Sequence, residues 1–216
     1  MRAVVAIDGP AGSGKTTVSR AVAERLGWSH LDTGAFYRAA GLAVDRAGVE
    51  LDDLGAVVEV VGSCRFDQRD GRMWLDGEDV SAEIRSEEAS RAASVVSTLP
   101  GVRAVLVDAQ RAWESRQTGG AVAEGRDIGT VVFPDAAVKV FLTADPTERA
   151  RRRAAERGGD LDAIATAMEQ RDLLDSTRVL SPLRPADDAT LLDTTGCGVD
   201  EVVDRVVGLV AAAGLV

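Results

Sequence analysis

The chain has 216 residues, 45% of them hydrophobic and 28% charged, which suffices for one α/β domain with a full core. Its 35 acidic residues outnumber 25 basic ones, and the net charge of −10 argues against a nucleic-acid coat or a partner in an anionic membrane. One histidine, two cysteines without metal-like spacing and 4% aromatic residues leave little room for a His-based triad, a metal cluster or a stacking platform. No apolar run approaches the ~20 residues of a membrane span, and Met1-Arg2 leads into the first strand without a signal peptide. Cys64 and Cys197 read as buried free thiols of a cytoplasmic protein.

Apolar runs alternate with amphipathic stretches from end to end, the pattern of a doubly wound α/β fold on a parallel sheet of about five strands. The predicted strands are Val4–Asp8, Ser29–Leu31, Gly120–Glu124, Val138–Thr143 and Thr190–Asp193. The predicted helices are Gly14–Leu26, Gly34–Ala47, Glu87–Thr98, Val102–Arg116, Pro146–Arg157, Leu161–Ser176 and Val199–Ala213. The last carries valines at 199, 202, 203, 206, 207 and 210, a spacing that marks one buried helical face. Residues 63–84 break the alternation. Asp70-Gly71 and Asp76-Gly77 favour tight hairpin turns, and the short pieces Cys64-Arg65-Phe66 and Met73-Trp74-Leu75 flank them, which predicts a small antiparallel meander inserted into the domain.

Between the first strand and the first helix stands Gly9-Pro10-Ala11-Gly12-Ser13-Gly14-Lys15-Thr16, which matches the P-loop pattern G-x-x-x-x-G-K-[ST] at every fixed position. Such a turn converges backbone N–H groups on phosphate oxygens, and the following helix N-terminus adds partial positive charge. Lys15 would reach the β- and γ-phosphates of ATP, and a threonine hydroxyl would help hold Mg²⁺.

Phosphoryl transfer depends on charge neutralisation and in-line positioning, a task for which the planar guanidinium is suited. Asp32-Thr33-Gly34-Ala35-Phe36-Tyr37-Arg38 follows the second strand, where the carboxyl ends of a doubly wound sheet line the ligand crevice; Asp32 also suits a helix N-cap. Glu124-Gly125-Arg126-Asp127 closes another strand. Arg103 and Arg111, on a predicted helix, read as solvated surface. Arg149, Arg152, Arg153 and Arg157 share one helical face, which fits either a polyphosphate clamp or neutralisation by Glu148 and Glu156. Arg171, Asp175 and Arg178 follow i, i+4, i+7 spacing and read as a salt-bridge ladder or as a phosphate and base or sugar contact. No Asn-Lys-x-Asp signature and no strand ending in Asp-Glu is present. A phosphate acceptor needs no general base; a hydroxyl acceptor would, and Asp32 or Asp127 could serve.

Three strings together resemble bacterial cytidylate kinases: Ile7–Lys15, Leu31–Arg38, and Gly125-Arg126-Asp127-Ile128-Gly129-Thr130-Val131-Val132-Phe133-Pro134. Leu75-Asp76-Gly77-Glu78-Asp79-Val80-Ser81-Ala82-Glu83-Ile84-Arg85 resembles that family's monophosphate-binding insertion, and the similarity runs from about residue 3 to the final helix. The resemblance implies transfer of a phosphoryl group from ATP to CMP or dCMP with Mg²⁺. It implies one P-loop kinase domain over 1–216, with a core (1–62, 85–145, 179–216), an insertion (63–84) and an arginine-rich helical lid (146–178). Lys15 and the lid arginines, Arg152 or another of Arg149 to Arg157, would steady the transferred group, and Arg38 and Arg126 would hold the acceptor phosphate as catalytic residues. Gly9 to Thr17 would hold ATP. Thr33, Tyr37, Arg38, Arg103, Arg126, Asp127, Arg171, Asp175 and Arg178 would bind the acceptor. Relatives read Gly-Lys-Gly-Thr where this chain has Gly14-Lys15-Thr16-Thr17, so Thr16 fits the general spacing for Mg²⁺ and Thr17 the family's. The partners expected are small nucleotides only, with no nucleic acid and no membrane, and the chain is expected to be a monomer. Another small P-loop kinase, for UMP, AMP or a metabolite, and an inactive nucleotide sensor are the rival readings.

Overall fold

The computed structural model describes residues 3–216; Met1 and Arg2, read above as leading into the first strand, and the side chain of Arg157, placed on the arginine face, lie outside the described residues. Five strands form one sheet: β1 (Val4–Asp8), β2 (Ser29–Asp32), β6 (Ala121–Gly125), β7 (Val138–Thr143) and β8 (Thr190–Asp193), in the order β2-β6-β1-β7-β8. β1 is central and pairs in parallel with β6 on one side and β7 on the other. Helices α1 (Lys15–Leu26), α2 (Thr33–Arg46), α5 (Pro100–Ser115), α6 (Pro146–Arg157) and α8 (Val199–Ala212) separate or follow these strands. Burial on both faces of β1 explains why Val4-Val5-Ala6-Ile7 shows no polar alternation: all five strand residues are buried.

The chain divides into two compact units, Met1–His30 with Thr118–Val216, and Leu31–Gln117. In the first, α1 and α8 pack together over β1 and β7. Val18 and Val22 meet Val202, Val203, Val206 and Val210 in one apolar core. Val207 is only half-buried there, and Val199, at the helix start, is 46% exposed; the predicted valine face is therefore narrower than its spacing suggested.

The second unit is built on α2, α3 (Leu54–Ser63), α4 (Glu87–Val96) and α5, with a separate sheet of β3 (Phe66–Arg69), β4 (Arg72–Leu75) and β5 (Glu78–Asp79). This is the expected meander. Asp70 and Gly71 stand at φ 49° and 72°, and Asp76 and Gly77 at 51° and 88°, the paired positive φ of tight hairpin turns. Trp113 of α5 donates from its indole nitrogen to the carbonyl of Gln68 at 2.7 Å, tying the meander to the helices of its own unit. α3 has no counterpart among the predicted elements. Its run Leu-Gly-Ala-Val-Val-Glu-Val-Val-Gly-Ser carries a single charge and several β-branched residues, so it lacks the polar face by which a helix is read. Asp53 caps it, accepting from the Ala56 N–H at 3.1 Å. Cys64 and Cys197 are free thiols and half-buried, not buried as expected, because each lies at the margin of its helix or turn. Among the described residues, no single helix is long and apolar enough to cross a membrane.

Candidate active site

The P-loop sits where the central strand ends. β1 delivers Gly9 with φ 151° against β7, so close that a Cβ there would lie 2.1 Å from the Leu142 carbonyl oxygen. The turn returns through Gly12 (φ 71°) and Gly14 (φ 84°), and α1 begins at Lys15. Lys15 is 7% exposed, and its Nζ donates to the Pro10 carbonyl at 2.6 Å and to Ser13 Oγ at 3.3 Å. Burial pushes its ammonium well below the usual lysine range. The positive charges of Arg126 and Arg171 push the same way, and Glu124 opposes them. A buried lysine flanked by two guanidinium groups stands where a polyphosphate would supply negative charge.

Beside the loop, the penultimate residue of β6 is Glu124, 3% exposed. Both Thr16 and Thr17 are exposed residues, and Thr16 donates its hydroxyl proton to Glu124 Oε2 at 2.9 Å. The other carboxylate oxygen lies 3.2 Å from His30 Nε2, which also lies 2.9 Å from Ser19 Oγ. A hydroxyl and a carboxylate oxygen side by side are hard donors of the type that Mg²⁺ takes, and that ion commonly uses one or two protein groups plus substrate phosphates. The residues present therefore fit the ion that the P-loop implies.

Past β6 the chain makes a π-helical turn, Ile128–Val132. Asp8, from the end of β1, fixes its start: the Ile128 and Gly129 N–H groups donate to the two carboxylate oxygens of Asp8, both at 2.8 Å. Burial raises the Asp8 carboxyl to about 6, against the pull of those two hydrogen bonds. This anchoring presents Arg126 and Asp127. Arg126 Nε donates to Asp175 Oδ2 at 2.8 Å. Arg171 Nε lies 4.0 Å from the same oxygen, Arg178 Nη1 lies 4.0 Å from Asp175 Oδ1, and Arg178 Nη2 lies 3.7 Å from Asp127. Burial works to raise the Asp175 carboxyl, but the three guanidinium groups prevail and hold it below the usual carboxylate range. α7 (Leu161–Thr177) carries Arg171 and Asp175, while Arg178 is its C-cap with extended backbone. The i, i+4, i+7 reading thus brings together the right side chains although the third is outside the helix.

Three of the α6 arginines have an acidic partner. Arg149 pairs with Asp172, Arg152 Nε donates to Glu148 at 3.1 Å, and Arg153 Nη1 to Glu156 at 3.3 Å. Neutralisation by Glu148 and Glu156 is therefore present. Arg152 also donates to the hydroxyl and carbonyl of Thr194, at 2.9 and 2.6 Å, and its Nη1 stands 3.7 Å from where a Cβ on Gly14 would be. It thus borders the P-loop as well.

Thr33, Tyr37, Arg38 and Arg103 belong to the second compact unit. Asp32 is the N-cap of α2, accepting from the Ala35 N–H at 3.0 Å, and its other oxygen accepts from Arg38 Nη2 at 2.9 Å. Cap and arginine support thus share one carboxylate. Arg103 corrects the surface reading. It is 5% exposed, its guanidinium carbon lies 5.7 Å from the centre of the Tyr37 ring, and it donates to the Ser97 carbonyl at 3.4 Å. Arg111 is exposed as expected, since eight positions on a helix leave it well off Arg103's face. A buried arginine stacked on a tyrosine is a held group, not a solvated one.

Asp8, Glu124 and Asp172 were not singled out as site residues. Asp8 directly precedes Gly9, and Glu124 and Asp172 directly adjoin quoted arginine motifs, so position was the available signal. Their partners are far away in the chain and gave none.

A cytidylate kinase family model matches residues 5–212. The chain is 49% identical to the cytidylate kinase of Rhodococcus opacus, covering 96% of this chain and 94% of that one. It is 50% identical to that of Mycobacterium leprae, covering 96% and 95%. Among solved structures, an uncharacterized protein from Eubacterium ventriosum aligns with TM-score 0.57 at 13% identity, over 98% of this chain and 99% of that one. A shikimate kinase from Bacteroides thetaiotaomicron aligns with TM-score 0.50 at 14% identity, over 98% and 99%. At these identities the two structures speak for the fold alone.

Proposed function

Because this chain belongs to the cytidylate kinase family, we propose that it transfers the γ-phosphoryl group of ATP to CMP and dCMP, giving CDP and dCDP. The observation that carries the reading is the Arg126–Arg171–Arg178 group gathered about Asp127 and Asp175, beside a P-loop whose Lys15 is held below the usual lysine range by burial first and by Arg126 and Arg171 second. Gly9 to Thr17 bind the ATP phosphates. Lys15 and Arg152 steady the charge that moves with the γ-phosphoryl group, and Arg38 and Arg126 hold the acceptor phosphate in line. Thr33, Tyr37, Arg103 and Asp127 complete the acceptor's surroundings. Asp175 and Arg178 recognise the cytidine, with Arg171 turned to the phosphates. Thr16 and Glu124 are the residues that would hold Mg²⁺, and the ion, when bound, neutralises charge on the β- and γ-oxygens. The acceptor phosphate is already nucleophilic, so Asp32 and Asp127 serve as partners of Arg38 and Arg178 and not as bases.

We further propose that residues 146–178 act as a lid that keeps water from the γ-phosphate, that the meander of residues 63–84 is the monophosphate-binding part, and that one chain is the working unit. Two half-buried free thiols suit a reducing cytoplasm.

The test is ADP release, measured by a coupled assay, with CMP, dCMP, UMP, AMP and GMP in turn. CMP or dCMP is expected to give the largest kcat/KM. Fastest turnover with UMP or AMP would reject the cytidine assignment, and no turnover with any of them would leave a nucleotide sensor.

A further inference from the structure

Ala11, the third residue of the P-loop, is held on both of its backbone polar groups by the helices that follow β7. Its N–H donates to Asp172 Oδ1 of α7 at 3.2 Å, and its carbonyl accepts from Arg149 Nη1 of α6 at 2.9 Å. Arg149 and Asp172 are also paired with each other, which closes a ring of three residues. The next residue is pinned as well. A Cβ on Gly12 would lie 2.7 Å from Met168 Cε of α7 and 2.9 Å from the Arg149 carbonyl oxygen of α6. α6 and α7 therefore rest on residues 11 and 12 of the loop, and an internal carboxylate occupies an N–H of a turn suited to phosphate oxygens.

A triphosphate and this carboxylate have the same sign and compete for the same donors. Arg149 can exchange one anion for the other without losing its ion pair, because its guanidinium offers several N–H groups. Asp172 has no such exchange. Three residues further along the same helix, on the same side, Asp175 gathers Arg126, Arg171 and Arg178. A displacement of Asp172 moves the helix that carries Arg171 and Asp175.

We propose that Asp172 is a coupling residue: it latches α7 onto the P-loop, and the phosphates of ATP release it, so that donor binding repositions the acceptor-recognising face of α7. The coupling rests on the reading of Arg171, Asp175 and Arg178 as that face; the competition with ATP does not. The two are measured separately on the full chain. In the first arm, calorimetry with a β,γ-imido analogue of ATP compares the protein with Asp172→Ala and Asp172→Asn. Asp172→Ala is expected to bind the analogue about tenfold tighter, since no internal anion has to be displaced. Asp172→Asn keeps an acceptor for the Ala11 N–H but loses the ion pair, and is expected to fall between. In the second arm, CMP affinity is measured with and without the analogue. The unaltered protein is expected to show a ratio of about fivefold or more, falling toward one in Asp172→Ala.

Analogue affinity that is unchanged or weaker in both variants overturns the latch. Tighter binding with an unchanged CMP ratio overturns the coupling. Should Asp172→Ala fail to fold, as thermal melting reports, Asp172→Asn decides by the same criteria. If CMP binds in no state of the unaltered protein, the cytidine reading fails while the first arm still judges the latch.

Discussion

Gly9 and Gly77 both stand at positive φ, 151° and 88°, and both follow an aspartate, Asp8 as the last residue of β1 and Asp76 directly after β4, yet they are glycines for different reasons. Around Gly77 of the meander there is open space, with nothing within 4 Å of an added Cβ. Only the local backbone conformation asks for glycine there, as a tight hairpin turn does wherever it occurs. Around Gly9 the Leu142 carbonyl would stand 2.1 Å from a Cβ, so the neighbouring strand of the sheet also demands the glycine. The preceding aspartates differ in the same way. Asp76 serves its own hairpin, accepting from the Arg65 N–H at 2.7 Å, whereas Asp8 reaches across the sheet to position a turn 120 residues away in the chain. A turn shaped locally can give way without disturbing a neighbouring strand; a turn shaped by its surroundings cannot, and that rigidity suits a phosphate site.

Substitutions can break this contrast at either end. Gly9→Ala is expected to have the largest effect. It forces backbone against backbone, at a cost on the order of 4 kcal/mol, and should lower the melting temperature sharply and abolish transfer. A melting temperature within a degree or two of the original would show that the strand ends are less tightly packed than the distance states. Arg178→Ala comes next. Its side chain touches both Asp127 and Asp175, so kcat/KM for CMP should fall roughly a hundredfold or more while KM for ATP stays within about threefold. Unchanged CMP kinetics would remove Arg178 from the acceptor site.

Asp8 sharpens the contrast through pH. A carboxyl that titrates at about 6 when folded and near the ordinary 3.8 of an aspartate when unfolded stabilises the fold below the lower value. That contribution is lost as pH rises through 6, because the folded chain binds the extra proton between the two values. Protonation also sacrifices one of the two hydrogen bonds that hold the Ile128–Gly129 turn, so kcat/KM should fall below about pH 6 even as stability rises. Opposite slopes of activity and melting temperature between pH 4 and 6, measured on one preparation, are the signature. Parallel slopes would reject Asp8 as their source. Gly77→Ala is the smallest change: about 1–2 kcal/mol of stability from the left-handed backbone, with a loss of kcat far smaller than that from Gly9→Ala. A loss of kcat as large as that from Gly9→Ala would erase the distinction between the two turns.

Much of this was legible in the residues themselves. The P-loop, the five strands and the meander are short-range patterns: a strand reads from its apolar run, a hairpin from Asp-Gly, a phosphate turn from the spacing of its glycines. α3 was not legible, because Val57 and Val61 are buried by neighbours that its sequence does not name, and its one charge marks no face. Arg103 was misread for a related reason. Helical spacing said which side it occupied but not that Tyr37 lies over it.

What the amino-acid order determined by itself is therefore the local conformation and the chemical inventory: where backbone N–H groups converge, and which cations are available to grip phosphate. What only the tertiary structure decided is who answers whom. Asp8 was assigned to the Ile128–Gly129 turn, Glu124 to Thr16, and Asp172 to Ala11, across separations of 108 to 161 residues. Such pairings leave no period in the chain. They follow from the parallel sheet, which places β6 and β7 on either side of β1 and so gathers distant segments around the P-loop, where burial favours the pairing of polar and charged groups.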